Sequence, residues 1–304
     1  MQESKTNYGK ERLRDMMIRR SSRRKLVDKA VSIFAVFSVI LAVVLLGSIL
    51  IEVIINGVGA LSINFLTQPP GAIGSGTGGI GPAIQGTLIV VGLASAIGAP
   101  VGVLAGIYLS EFGGIGIFPS VVRFFNDVLV GLPSIVIGIV AYITLVLTLG
   151  SFSVWAGAFA LSIIMIPIVT RVTEETLNIV PNSVREAGHS LGIPKRKIIL
   201  RIVLPSAKSG VITGVVLAIA RIAGETAPLI MTILGTDLFF TTLRGPVDAL
   251  PLRIWRLASQ PYEYAHSFGW GAALILILLV VGLSLGLRLL AHKRGFKIGT
   301  ISAG

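Results

Sequence analysis

Six apolar segments, at residues 31–55, 86–109, 124–149, 152–173, 206–235 and 268–291, run through this 304-residue chain. Each is close to the ~20 residues that a helix needs to cross a ~30 Å hydrocarbon core. Only 13% of the residues are charged and 53% are hydrophobic, whereas a soluble domain carries about a quarter charged residues. So few charges cannot make a polar shell, and the solvent for most of the chain is lipid. The pattern predicts an all-α, polytopic membrane protein with six transmembrane helices. The first segment is too long for the roughly 7–15-residue core of a signal peptide, and no small-residue cleavage site follows it. It reads as an uncleaved span.

The net charge of +12 suggests nucleic acid until the basic residues are located. Ten of the 26 lie in residues 1–30, ahead of the first span, which suits a cytoplasmic anchor facing anionic lipid. Six spans place both termini on one side, and 22 basic residues fall on that side against three on the other. The positive-inside rule therefore predicts cytoplasmic N- and C-termini. The expected organisation is a basic segment at 1–30, a permease-like helical domain at 31–292 and a tail at 293–304. There are no cysteines, which excludes disulfides, thiolate metal sites and cysteine nucleophiles. His189, His266 and His292 show no ligand spacing, so neither a metal nor a catalytic site is expected.

Pro100, Pro133, Pro167 and Pro228 place one proline in each of spans two to five. Proline frees backbone carbonyls that neighbouring helices or a watery cavity must satisfy, which predicts that these four spans form the core. Gly98, Gly102 and Gly106 make a small-residue ridge on span two that suits close helix packing. A GxGxxG match at Gly74, Gly76 and Gly79 lies between two membrane segments, not in the strand–helix setting of a dinucleotide site. No GxxxxGK[ST] occurs. The chain is not expected to bind ATP itself.

The loop at 171–208 predicts a short helix lying across the cytoplasmic face, capped by Asn182 or Ser183 and ended by Gly192 and Pro194. A second short helix would run to Pro205. Its residues Glu186-Ala187-Gly188, then Gly192, then Ile202-Val203-Leu204-Pro205 resemble the EAA motif of ABC importer permeases, with both gaps of the family length. Gly188 stands where the family has a second alanine. The resemblance implies a type I ABC importer permease fold with a coupling helix in the loop 174–205. It further implies that Glu186, Ala187, Gly188 and Gly192 engage a separate ATPase subunit, which would carry the ATP and Mg.

Arg221 and Glu225 are spaced i, i+4 in the fifth span. Each charge near the bilayer centre costs roughly 2.5–3.5 kcal/mol, so the pair is either a structural ion pair inside the bundle or part of an ion pathway. An arginine fork suits an oxyanion. The carboxylate repels sulfate but accepts a hydrogen bond from monohydrogen phosphate, which favours phosphate. The strings GETAPL (224–229), IPIVTRVTEETL (166–177), ALPLRIWRLASQP (249–261) and GGIGPAIQGTL (78–88) resemble the A-type permeases of phosphate-specific ABC importers. That resemblance implies substrate-pathway roles for Arg171 and Arg221. It also implies three kinds of partner: a C-type sister permease, two ATPase subunits and an extracytoplasmic phosphate-binding protein. Arg171, at the inner end of span four, reads equally as a snorkelling anchor. Arg123 and Asp127, also i, i+4, read as an interfacial ion pair. Glu52 and the outer-loop Arg244, Arg253 and Arg256 read as solvated groups or a face for the binding protein. A permease for sulfate or molybdate, and an ion-coupled carrier or channel, stay open as alternatives.

Overall fold

The computed structural model describes residues 2–293 apart from Ile73 and Ile115, and the side chains of residues 28–289 among them. The C-terminal tail expected at 293–304 lies almost wholly outside the described residues. The described residues are almost entirely helical, with two isolated β-bridges and no strand. Gln2–Val58 (α1) is one 57-residue helix. Its part from Asp28 onward is apolar enough to cross a membrane, and its side chains such as Phe34 are exposed, as lipid-facing groups should be.

The second compact unit, Asn56–Gly304, holds the remaining helices. After a short turn of helix at Ile63–Thr67 (α2), Gly81–Glu111 (α3) passes through Pro100 without a break. Ile117–Gly131 (α4) and Ser134–Ala141 (α5) meet at a 105° bend. A π-turn at Tyr142–Val146 and a last turn at Leu147–Leu149 (α6) finish that arm. Val154–Ile179 (α7), Asn182–Ser190 (α8), Lys195–Ile198 (α9) and Leu204–Ala223 (α10) follow. Ala227–Thr232 (α11), Leu250–Ala258 (α12) and Glu263–Lys293 (α13) complete the order.

Helix α7 is the most buried of the long helices, and glycines bring its neighbours close. A Cβ on Gly102 of α3 would lie 2.7 Å from the Cβ of Val169, and one on Gly106 would lie 2.6 Å from that of Thr173. From the other flank, Cβ atoms on Gly210 and Gly214 of α10 would meet Thr176 and Val172 at 2.3 and 2.4 Å. Backbones approach this closely only where side chains are absent, and dispersion then replaces the hydrophobic force that lipid does not supply. Ser162 of α7 donates to Ala158 O at 2.7 Å and approaches Ala94 O of α3 at 3.2 Å. The expected core of spans two to five is therefore organised around the fourth.

Two of the expected spans are broken. In span three, Leu132 and Pro133 leave helical geometry, so 124–149 is not one rod. Pro133 starts the second arm, where a missing N–H is harmless. In span five, α10 ends at Ala223, and Gly224–Thr226 separates it from α11, with Pro228 in the new first turn. Pro100 and Pro167 lie within unbroken helices, so proline alone did not decide where the breaks fall. Helix α4 is also inverted relative to a soluble amphipathic helix. Its Arg123, Asn126 and Asp127 bond to α7, while Ile117, Phe118, Val121, Phe124 and Phe125 are exposed.

At the end of the bundle where α3 begins, the glycine-rich stretch forms turns. Gly74, Gly76 and Gly78 have φ of +89°, +66° and +97°, and Gly74 N donates to the Tyr264 hydroxyl at 2.7 Å. The expectation of three solvated arginines here is corrected. Arg253 is 6% exposed, donating to Asp248 at 2.6 Å and Asp237 at 2.7 Å. Arg256 is half-buried and donates to Leu234 O, so the correction applies to Arg253 and Arg256, while Arg244 is exposed as expected. Burial pushes the Asp248 carboxyl above its ordinary range despite the Arg253 guanidinium beside it. An arginine whose Nε and Nη2 meet two aspartates and the Thr236 carbonyl has its charge paired and most of its fork hydrogen-bonded, which is why it can be buried.

Candidate transport and coupling site

The opposite end of the bundle carries α8, formed from Asn182–Ser190 as expected, but its cap differs. Pro181 takes the N-cap position, with Asn182 and Ser183 inside the first turn and no side-chain cap. Gly192 ends the helix in the left-handed region at φ +70°, donating to His189 O, while Ile193 N donates to Gly188 O. This is the glycine-terminated stop that a tight helix end requires. Glu186 and Ala187 point to the exterior, whereas Gly188 faces inward. A Cβ on Gly188 would sit 2.8 Å from Ile198 Cδ1, so the one departure from the EAA pattern has a packing reason. Beyond it α9 runs through a π-turn at Ile199–Val203 into α10 as one continuous apolar helix, Lys195–Ala223. Pro205 cannot donate to Arg201 O, and a wider turn absorbs such a defect. The separate second helix expected before span five is therefore the start of that span.

Arg185 and Glu111 were not read from the sequence as site residues. Arg185 donates to Glu111 at 2.6 Å, to Val180 O at 2.6 Å and to Leu177 O at 2.9 Å. Glu111 is 3% exposed. Lys195 donates to the Glu111 carbonyl and lies 4.6 Å from the Phe112 ring centroid. The available signal was a lone carboxylate ending an otherwise apolar span, directly before Phe112-Gly113-Gly114.

Arg221 occupies the last turn of α10, and Glu225 lies past the helix end, in the break. They still pair, at 3.3 Å, but not as i, i+4 neighbours on one helix. The Arg221 side chain is 60% exposed and Glu225 12% exposed. Arg171 is held differently, by Asp127 at 2.8 Å and Glu175 at 3.0 Å. The expected Arg123–Asp127 pair does not form. Arg123 instead donates to Glu174 at 2.8 Å and to Leu109 O, leaving Asp127 for Arg171. The two candidate pathway arginines are not brought into one cluster. Val172 sits level with Gly214, and Arg221 is seven residues further along α10, so it lies about 10 Å deeper in the bundle than Arg171. Among the described residues, no group of three or more His, Asp and Glu residues could hold a metal.

The molecule thus combines a long α3–α7–α10 core, a short helix lying across one end and a broken helix bearing a charge pair. The family model described as "Binding-protein-dependent transport system inner membrane component" matches residues 98–295. The chain belongs to this family. A phosphate transport system permease protein PstA of Haemophilus influenzae is 40% identical over 272 residues, covering 89% of this chain and 96% of that one. One of Pasteurella multocida is 40% identical over 267 residues, covering 88% and 95%. A probable phosphate transport system permease protein PstA of Methanocaldococcus jannaschii is 34% identical over 272 residues, with coverage of 89% and 96%. Among solved structures, an inward-facing form of the MetNI methionine ABC transporter superposes with a TM-score of 0.56 at 17% identity, covering 70% of this chain and 92% of that one. At that identity the likeness concerns the fold, which is the type I importer permease fold. As a member of a family of transport-system membrane components, the chain is a transport subunit rather than an enzyme.

Proposed function

We propose that the chain is the transmembrane permease subunit of an ATP-driven ABC importer that moves inorganic phosphate into the cytoplasm. The observation that carries this reading is agreement along nearly the whole chain with permeases named for phosphate transport, from bacteria and from Methanocaldococcus. The site chemistry supports it. Arg221 offers an exposed fork beside the unwound Gly224–Thr226 segment, and Glu225 is placed to accept from the hydroxyl of monohydrogen phosphate. Unwound backbone at membrane depth is tolerated where it lines a cavity or is covered by protein.

In this account Glu186 and Ala187 on the outer face of α8 dock into an ATPase that binds ATP and Mg. Two such ATPases, a C-type sister permease and an extracytoplasmic phosphate-binding protein complete the complex. The termini are cytoplasmic in this reading, which puts α8 on the ATPase side; the 22-to-3 distribution of basic residues supports this orientation. ATPase closure displaces α8 and, through α7 and α10, exposes Arg221 alternately to the two sides.

Purification of the complex in detergent tests the partner assignment. The wild-type chain should bring an ATPase with it, and Glu186→Ala should lose most of that ATPase while retaining the sister permease. Recovery of the chain alone, with ATP-independent phosphate movement, would instead establish a carrier or channel.

A further inference from the structure

We infer that Arg185 is a positioning residue that locks the coupling helix to the α3–α7 pair, making those two helices follow ATPase movement together with α10. The inference rests on the function proposed above. Helix α8 is joined by chain to α7 through Pro181 and to α10 through α9. It has no chain connection to α3. Arg185 provides one through its side chain, with two nitrogens on the Glu111 carboxylate at 2.6 and 3.1 Å.

The same guanidinium takes up the Leu177 and Val180 carbonyls at the end of α7. Leu177 lies in the last turn of α7 and Val180 is its C-cap, where carbonyls run short of intrahelical donors; Leu177 O otherwise accepts only from Val180 N at 3.2 Å. One side chain therefore clamps three helix ends. A lysine could not do this, since it offers a point charge where three separated acceptors need a planar fork.

Glu111 strengthens the case, because it is otherwise in an unfavourable place. It ends α3, where the helix dipole opposes a negative charge, and it is buried. Lys195 helps to neutralise that helix end by donating to the Glu111 carbonyl. Removal of one partner of such a pair leaves an uncompensated buried charge. A carboxylate that served only solubility would not be buried against a helix C-terminus.

The mechanical consequence follows from the glycine contacts. Because Gly102 and Gly106 seat α3 directly on Val169 and Thr173 of α7, the two helices move as one body. Pulling Glu111 therefore moves α7, and with it Arg171. The π-turn and α10 carry the same movement to Arg221. Without Arg185, α8 would hold the α3–α7 pair only through the Val180–Pro181 link, and its movement would pass to α10 while that pair lagged behind.

The chain itself has no cysteine, so labels can be placed in it site-specifically once any cysteines of its partner subunits are replaced. Labels at Leu104→Cys on α3 and Ser190→Cys on α8, both exposed positions, report the separation directly. On ATP binding the separation should stay within ~1–2 Å with Arg185 present, and change by about 5 Å in Arg185→Gln. Phosphate moved per ATP hydrolysed should fall about tenfold in Arg185→Gln and Glu111→Gln, within the usual span of a coupling interaction. Arg185→Lys should recover only part of it. An unchanged separation in Arg185→Gln, or equal losses of hydrolysis and transport, would overturn the latch. Failure of all three variants to assemble would also overturn it, by assigning the pair to folding. A wild-type complex that kept the fixed separation but moved no phosphate would reject the cargo and support the latch.

Discussion

Arg171 and Arg221 stand on packed neighbouring helices, each in contact with carboxylates, yet their surroundings differ. Arg171 joins a ladder across α4 and α7 in which Asp127 and Glu175 both hold it, while Arg123 and Glu174 form the next rung. Arg221 has one carboxylate at a longer 3.3 Å, and the chain beside it leaves helical geometry. A guanidinium gripped on two sides by short charged partners is fixed between helices, whereas one with a single looser partner keeps more of its fork free to reorient. On the function proposed above, Arg171 is a cation that joins helices and Arg221 the cation that meets substrate. Both belong to a family in which sequence resemblance alone implied one role for the two.

The largest predicted effect tests that separation. Arg221→Ala should lower phosphate uptake by the assembled complex roughly a hundredfold, the ~1.5–3 kcal/mol of hydrogen bonds to a charged group, with ATPase recovery unchanged. Arg221→Lys keeps the charge and loses the fork, and should lower uptake about tenfold. Arg171→Ala should lower uptake less than Arg221→Ala and should reduce the melting temperature of the complex. Equal losses of uptake at the two positions would erase the distinction. Asp127→Asn with Glu175→Gln frees Arg171, and should lower KM for phosphate by a few-fold if that fork then meets the substrate. The smallest effect concerns salt. Raising ionic strength should barely alter stability through the exposed Arg171 pairs, worth about 0–1 kcal/mol each.

The same comparison shows what the sequence made legible. Apolar length and the fixed gaps of the 186–205 stretch are local properties, so the spans and α8 could be read directly. Gly192 was read correctly as a stop because a helix end needs the left-handed φ that it adopts. The ion pairs were not legible. Arg123 and Asp127 have ideal local spacing, yet their partners lie 51 and 44 residues away because α4 docks its polar face on α7. Breaks at Pro133 and Gly224 could not be told from the unbroken Pro100 and Pro167, since the outcome depends on what packs beside each. Arg253 looked solvated because neither Asp237 nor Asp248 announces itself as its partner in sequence. Glu111 and Arg185, 74 residues apart, show the same limit at the place where coupling depends on it.

On the proposed function, this chain carries phosphate through Arg221 under the drive of an ATPase docked on α8. Uptake of labelled phosphate into vesicles holding the full complex, with ATP on the ATPase side and excess sulfate present, tests it most directly. Uptake should require ATP, persist with sulfate, and fall roughly a hundredfold in Arg221→Ala while the ATPase remains bound. Uptake that survives Arg221→Ala, or that sulfate suppresses in proportion to its excess, would contradict the account.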